Sequence, residues 1–339
     1  MRDSVTLPVS SPLLDVRNLN VSYPSPAGPV CAVSDVTLQM WPGELLALVG
    51  ETGCGKSTLA HALLGILDGI VQVQARAIQF DGTELTGLAE REWRKIRGRR
   101  IGIVFQDARG SLNPVLTIGT HIVETMRAHR AISVRDARKE AGGLLREVGV
   151  PDPEFHMRRY PFELSGGMCQ RIGIALAICN QPRLIVADEP TSALDPTLQT
   201  QILSLLREMN RRHRLAVLLI SHDLALVAEF ADRVAVMYHG RLVESAPSSE
   251  IFRSPAHPYT LGLLQSQPGL HHHRDSKPLI PIAGAPPAPG QVLPGCAFAP
   301  RCPAADQRCI EAVPPPRPLS DNHWAACIKL QQGECGAKG

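Results

Sequence analysis

Residues Gly50 to Thr58 read GETGCGKST, a set of types and spacings suited to holding a polyphosphate. Gly50, Gly53 and Gly55 allow a tight backbone turn whose N–H groups point inward, with Glu51, Thr52 and Cys54 filling the loop between them. Lys56 offers a charge for β- and γ-phosphates, Ser57 a hydroxyl for Mg²⁺, and Thr58 completes the run. A second set of polar residues stands at the ends of apolar runs. Asp188 and Glu189 follow Leu184 to Ala187, His222 follows Ser221 just after an apolar run ending in Ile220, and Gln106 follows Ile101 to Phe105. If those runs are strands of one open α/β sheet, these groups share its carboxyl edge, where such sheets bind ligands.

The elements needed to position them are legible. Leu45 to Val49 is a continuous apolar run, and Leu59, Leu63, Leu64 and Leu67 keep helical spacing after the loop. Strand, glycine-rich loop and helix is the context in which GxxxxGK[ST] denotes a nucleoside triphosphate site. Leu13 to Tyr23 and Val33 to Met40 alternate as antiparallel strands do, joined by the turn residues PSPAGP. Tyr23 closes the first of them, where an aromatic ring can stack on a base or simply pack. From about residue 117 to 180 the pattern is helical, with Ser133 as an N-cap, which predicts a helical subdomain. Ile202, Leu205, Leu206 and Met209 form one apolar stripe on a further helix.

Composition bounds the alternatives. The chain has 339 residues, 44% hydrophobic and 20% charged, with a net charge of +3 that is too mild to argue for nucleic acid. No apolar run approaches the roughly 20 residues of a membrane span, and the first residues lack the apolar stretch of a signal peptide. A cytoplasmic chain that meets a membrane only through partners is expected.

After residue 267 the composition changes. HHHRDSK reads as a solvated linker, with metal binding by its three histidines as the other reading, and the proline-rich PLIPIAGAPPAPGQVLPG and VPPPRP exclude helix and central strand. This tail reads as a separate module, with few large apolar residues beyond Phe298, Ile310 and Trp324 and no visible core. Five of the nine cysteines crowd it: Cys296, Cys302, Cys309, Cys327 and Cys335. The first four are separated by 5, 6 and 17 residues, without the close pairs of a zinc ribbon or the tighter spacing of a ferredoxin run. A module so poor in core needs a staple, and four thiolates on one metal centre would serve. Disulfides, which a reducing compartment disfavours, and unligated thiols are the other readings.

The loop at Gly50 to Thr58, FQD at Phe105 to Asp107, LSGGM at Leu164 to Met168, LIVADEP, SALD at Ser192 to Asp195 and ISHD occur in one order. Together, over about residues 13–245, they resemble the nucleotide-binding subunits of ATP-binding cassette (ABC) transporters. The resemblance implies an α/β P-loop NTPase fold, with a RecA-like core, an antiparallel β-subdomain and a helical subdomain. It implies ATP and Mg²⁺ as ligands: Tyr23 stacked on adenine, Gln106 on Mg²⁺ and the attacking water, and Asp188 on Mg²⁺ through water. It further implies Glu189 as general base, His222 against the γ-phosphate, and Ser165, Gly166 and Gly167 donating to ATP on a partner's loop. Met168 stands where most of the superfamily has glutamine, and the glutamine appears at Gln170.

LSGGM, SLNP at Ser111 to Pro114, HPYT at His257 to Thr260 and the tail GCAFAPRCPAADQRC resemble the peptide and nickel importer branch, in particular its D-type dipeptide/oligopeptide ATPase. Ala108 departs from that branch's FQDP. The division implied is a cassette over 1–267 and a C-terminal extension over 268–339. The implied partners are a paralogous ATPase, two transmembrane permeases and an extracytoplasmic binding protein, with this subunit peripheral on the cytoplasmic face of the membrane. The same resemblance favours a 4Fe–4S cluster over Zn²⁺ at Cys296, Cys302, Cys309 and Cys327, with Cys335 as bystander. Importers of nickel or a metal–opine chelate share these motifs, and a soluble ABC protein is the remote alternative.

Overall fold

The structure, a computed structural model, describes residues 11–26, 28–192, 194–267 and 280–332. The histidine run, Cys335 and the boundary expected at 267/268 fall in or beside segments outside the described residues.

Two sheets face one another. The antiparallel sheet is built from β1 (Leu14–Tyr23) and β2 (Val30–Met40), with β4 (Gln72–Gln74), β5 (Ala77–Phe80) and β6 (Thr83–Glu84). β1 is central: it pairs with β2 on one side and with β4 and β5 on the other. The second sheet has eight strands: β3 (Leu45–Val49), β7 (Ile101–Val104), β8 (Leu184–Asp188), β9 (Ala216–Ser221), β10 (Arg233–Tyr238), β11 (Arg241–Pro247), β12 (Arg317–Ser320) and β13 (His323–Ala325). Its order is β12-β13-β11-β10-β3-β9-β8-β7, parallel from β10 through β7.

The continuous apolar sequence of β3, β8 and β9 follows from this placement. β3 lies between β10 and β9, and all five of its residues are buried. Its side chains alternate: Leu45, Ala47 and Val49 enter the core under the helices, while Leu46 and Leu48 enter the core shared with the antiparallel sheet. Each fully buried leucine contributes about 1.5–3 kcal/mol, so a strand buried on both faces cannot alternate with polar residues.

Helices α1 (Lys56–Leu64) and α2 (Glu90–Ile96) belong to the strand-rich half. The helical subdomain comprises α3 (Ile118–His129), α4 (Val134–Glu147), the short α5 (Pro153–His156) and α6 (Gly166–Ile178). Ser133 caps α4 as expected, its hydroxyl accepting from the Asp136 N–H, and Thr117 caps α3. α7 (Pro196–His213) buries its stripe of Ile202, Leu205, Leu206 and Met209, and Asp195 caps it. α8 (Leu224–Phe230), α9 (Ser248–Arg253) and α10 (Pro258–Gln265) follow, and α11 (Gln307–Glu311) lies in the tail.

The tail takes its core from the cassette. β13 pairs with β11 through Glu244 opposite Ala325 and Ser245 opposite Trp324, and β12 closes the edge with Pro318 inside it. An edge strand tolerates the missing proline N–H. Phe298 is only 2% exposed and packs on Tyr238 and Tyr259, with ring centroids 5.3 Å away in both cases. Trp324 packs against the other core, whereas Ile310 is 53% exposed. Two titratable groups fix the junction. Glu244 is fully buried and accepts from the Ala256 and His257 N–H groups and from His323 Nε2 at 2.7, 2.9 and 2.8 Å. His323 also meets Glu250 through Nδ1 at 3.1 Å.

Candidate functional site

The loop after β3 is shaped by close approach of backbone to backbone. Gly50 has φ 155°, and a Cβ there would stand 2.2 Å from the Met237 carbonyl oxygen. Gly55 has φ 108°, with the Ala32 carbonyl 2.4 Å from a Cβ position. No other residue fits either place. Lys56 is buried, and its Nζ donates to the Gly50 carbonyl at 2.8 Å and the Glu51 carbonyl at 3.0 Å. Its ammonium therefore lies across the loop it closes. The first N–H groups of α1 lack partners within the helix, so the loop and the helix start form an anion-binding concavity.

Asp188 ends β8 within reach of that loop. The Ser57 hydroxyl donates to Asp188 Oδ1 at 3.0 Å, and His61 Nε2 lies 3.6 Å from Oδ2. Burial pushes the Asp188 carboxyl above its usual range, opposed by the Ser57 hydrogen bond and the charge of His61, while neighbouring Glu189 adds to the rise. A cation beside it would favour its ionised form. Ser57 and Asp188, with Gln106 nearby in the cleft wall, offer the hard oxygen donors that Mg²⁺ takes. The fit is one of donor chemistry.

Glu189 follows directly and occupies the left-handed region at φ 45°, a strained place for a side-chain-bearing residue. Its N–H donates to the Ile220 carbonyl of β9 at 3.1 Å, which holds the turn. Two side chains converge on its Oε2: Gln106 Nε2 at 3.3 Å and His222 Nδ1 at 3.5 Å. Thus β7, β8 and β9 each deliver one polar group from the carboxyl edge. A cleft of about 800 Å³ opens there, walled by the glycine-rich loop, Gln106, Glu189 and His222.

Tyr23 stands at the flank of α1, its hydroxyl 3.4 Å from Thr58 Oγ1. Ser165, Gly166 and Gly167 lie elsewhere, at the start of α6, where Ser165 is the N-cap. Ser165 and Gly166 are exposed, and Gly167 approaches α7 so closely that a Cβ would meet Leu198 at 3.1 Å.

Several neighbours of the cleft carry no motif of their own. Leu263, Ser266, Gln267, Pro281 and Ile282 complete its wall. The Tyr259 hydroxyl accepts from the Glu51 N–H at 2.9 Å, and Arg301 from the tail reaches the Glu51 carboxylate. HPYT at 257–260 was the signal for Tyr259: buried His257, held neutral by burial that takes it down to about 4, accepts from the Tyr259 N–H and caps α10.

The tail cysteines are close but not arranged as ligands. All eight described cysteines are free thiols. Burial first, with the neighbouring Cys327, Cys302 and Cys309 adding to it, pushes Cys296 up to about 11. The four therefore lie within electrostatic reach of one another. Among the described residues, however, no three His, Cys, Asp or Glu side chains are placed to hold a metal ion, and Cys309 Sγ donates instead to Asp306 at 3.4 Å.

Comparison with known proteins agrees with this geometry. Residues 33–192 match the family model "ABC transporter", and residues 243–309 match "Oligopeptide/dipeptide transporter, C-terminal region". The oligopeptide transport ATP-binding protein OppD of Mycobacterium tuberculosis is 45% identical over 95% of this chain, and this chain spans about half (52%) of that relative. A putative peptide import ATP-binding protein of Brucella melitensis is 44% identical, over 95% of this chain and 98% of its own length. Among solved structures, the dimeric post-hydrolysis ATP-binding cassette MJ0796 superimposes with a TM-score of 0.63 at 27% identity, covering 69% of this chain and 98% of that one. CbiO1 of Clostridium perfringens gives 0.62 at 28% identity, covering 72% and 91%. The glycine-rich loop, the carboxyl-edge cleft and these relatives together place the chain in the ABC transporter ATP-binding proteins, in the oligopeptide/dipeptide type.

Proposed function

We propose that this chain is the ATP-hydrolysing subunit of an importer for dipeptides or oligopeptides. The observation that carries the reading is convergence: Lys56, Ser57, Gln106, Glu189 and His222 wall one cleft, with Asp188 bonded to Ser57 beneath it. In this reading the loop N–H groups and Lys56 bind the β- and γ-phosphates, and Tyr23 stacks on adenine. Ser57, Asp188 and Gln106 hold Mg²⁺, which when bound offsets charge on the phosphate oxygens. Glu189 accepts a proton from the water whose oxygen attacks the γ-phosphorus. The bond to the bridging oxygen breaks, leaving ADP and phosphate. Gln106 orients that water and His222 holds the γ-phosphate, so catalysis rests on positioning and electrostatics.

Ser165, Gly166 and Gly167 lie outside this chain's own cleft, which suits donors to ATP on a partner. The MJ0796 cassette is a dimer bound to ADP and phosphate, in keeping with that arrangement. We assign a paralogous ATPase as the partner, two permeases as the membrane contact, and an extracytoplasmic binding protein as the donor of substrate. No helix among the described residues is long and apolar enough to cross a membrane, which suits a peripheral subunit on the cytoplasmic face. Peptide import is favoured over nickel or metal–opine import by the names of the relatives. The test is uptake by the assembled transporter: labelled di- and oligopeptides should accumulate in an ATP-dependent way, whereas uptake of Ni²⁺ alone would reverse the substrate.

A second reading concerns the tail. Four neighbouring thiols, Cys296, Cys302, Cys309 and Cys327, have the donor chemistry of a thiophilic centre, and we propose that they close on a structural 4Fe–4S cluster, with Zn²⁺ as the alternative. Anaerobically purified protein should carry about four irons per chain. One zinc would change the metal, and neither would leave four free thiols.

A further inference from the structure

The glycine-rich loop carries an acid where a polyphosphate must bind. Glu51 is the second residue of the loop and its carboxylate is 27% exposed beside the cleft. An uncompensated negative charge there would repel the phosphates. Arg301 meets it as a two-pronged clamp: Nη1 donates to Oε2 at 2.7 Å and Nη2 to Oε1 at 3.0 Å. Arg301 is itself fixed. Its side chain is 4% exposed, its Nε donates to the Ala283 carbonyl at 3.0 Å, and Nη1 also reaches the Tyr238 hydroxyl at 3.3 Å. The guanidinium lies against the rings of Tyr238 and Phe298. Its planar fork is what binds both carboxylate oxygens at once, which a lysine could not do. The loop backbone is held on the same side, since the Glu51 N–H donates to Tyr259, which packs on Phe298.

We infer that Arg301 is a positioning residue for nucleotide binding: it neutralises Glu51 and turns its carboxylate away from the phosphates, so that the C-terminal tail completes the glycine-rich loop. The inference rests on the ATP reading above. Its consequence is that a nucleotide site built at the start of the chain is finished by a residue 250 positions later.

The test is a charge cycle read by equilibrium binding of fluorescent ATP, ADP and AMP analogues to the full chain. Arg301→Met should weaken ATP by about tenfold or more, ADP less and AMP least, because the penalty scales with phosphate charge. Adding Glu51→Gln to Arg301→Met should restore ATP affinity to within about threefold of wild type, since the charge needing compensation is gone. Arg301→Lys, which keeps charge but loses the fork, should fall between and covers the case in which the methionine variant does not fold. Wild-type affinity in both Arg301 variants, an equal loss for all three nucleotides, or a double variant no tighter than Arg301→Met would each overturn the inference. Failure of the wild-type chain to bind any nucleotide would instead overturn the ATP reading.

Discussion

Phe298→Ala should undock the tail without unfolding the cassette. The ring is 2% exposed, tilted on Tyr259 at 57° and edge-on to Tyr238 at 85°. Removing a buried phenylalanine costs about 3–5 kcal/mol, which includes the void left behind. The aromatic contacts account for about 0.5–1.5 kcal/mol per pair of specific geometry. The described tail's other large apolar contacts with the cassette, Ile282 and Trp324, are only partly buried, and Ile310 is exposed. The loss therefore falls on docking. At about 3 kcal/mol the ratio of docked to undocked tail falls more than a hundredfold. Hydrogen exchange resolves the two levels. The Ala326 N–H, bonded to Val243, and the Cys296 N–H, bonded to Cys309, should exchange much faster in the variant. Amides of β3 and β9, which pair with one another inside the sheet, should keep their protection. Unchanged exchange at Ala326 and Cys296 would refute Phe298 as the anchor, and equal loss throughout β3 and β9 would refute a tail that opens separately.

Lys56→Ala should abolish measurable ATP binding while leaving the fold intact, as judged by nucleotide titration beside a thermal melt; it removes the ammonium lying across the loop. Gly55→Ala should be more damaging to the loop than its size suggests, by about 1–3 kcal/mol, since it combines φ 108° with a 2.4 Å clash against Ala32; the melting temperature reads it. Tail docking should weaken at alkaline pH. The hydrogen bond and charge of Glu244, then those of Glu250, raise His323 above the usual histidine range. A raised folded value means that stability is fully present below the unfolded value and is lost as pH rises through the folded one. Protease protection of the tail should therefore fall as pH rises above the ordinary histidine value of about 6.5, and His323→Gln should flatten that dependence; protection that rises with pH would contradict the assignment.

The glycine-rich loop was legible because its determinants are local. Strand, glycines, lysine and helix lie within about twenty consecutive residues, and each leaves a composition signal. The carboxyl-edge residues were legible for a related reason: a strand buried on both faces is a continuous apolar run, so Asp188 and His222 stand out where it stops. Ser133 as a cap followed from its residue type ahead of a helical run, and the stripe on α7 from periodicity. What could not be read was contact across long separations. Arg301 on Glu51, Tyr259 on the Glu51 N–H and β13 on β11 join segments 250, 208 and roughly 80 positions apart, and no periodic pattern announces them. The tail looked coreless because only its own apolar residues were visible in the sequence. Phe298 shares the core of Tyr238 and Tyr259, and β12 and β13 are four and three residues long, too short to leave an alternating signature.

The central claim is that ATP is hydrolysed in this cleft with Glu189 taking the proton of the attacking water. The direct measurement is steady-state phosphate release by the chain assembled with its partner subunits, wild type against Glu189→Gln, with ATP affinity measured on the same preparations. Unchanged ATP binding is predicted for the glutamine variant, with hydrolysis lower by at least about 100-fold, the scale of a lost general base. Wild-type turnover from Glu189→Gln would contradict the claim.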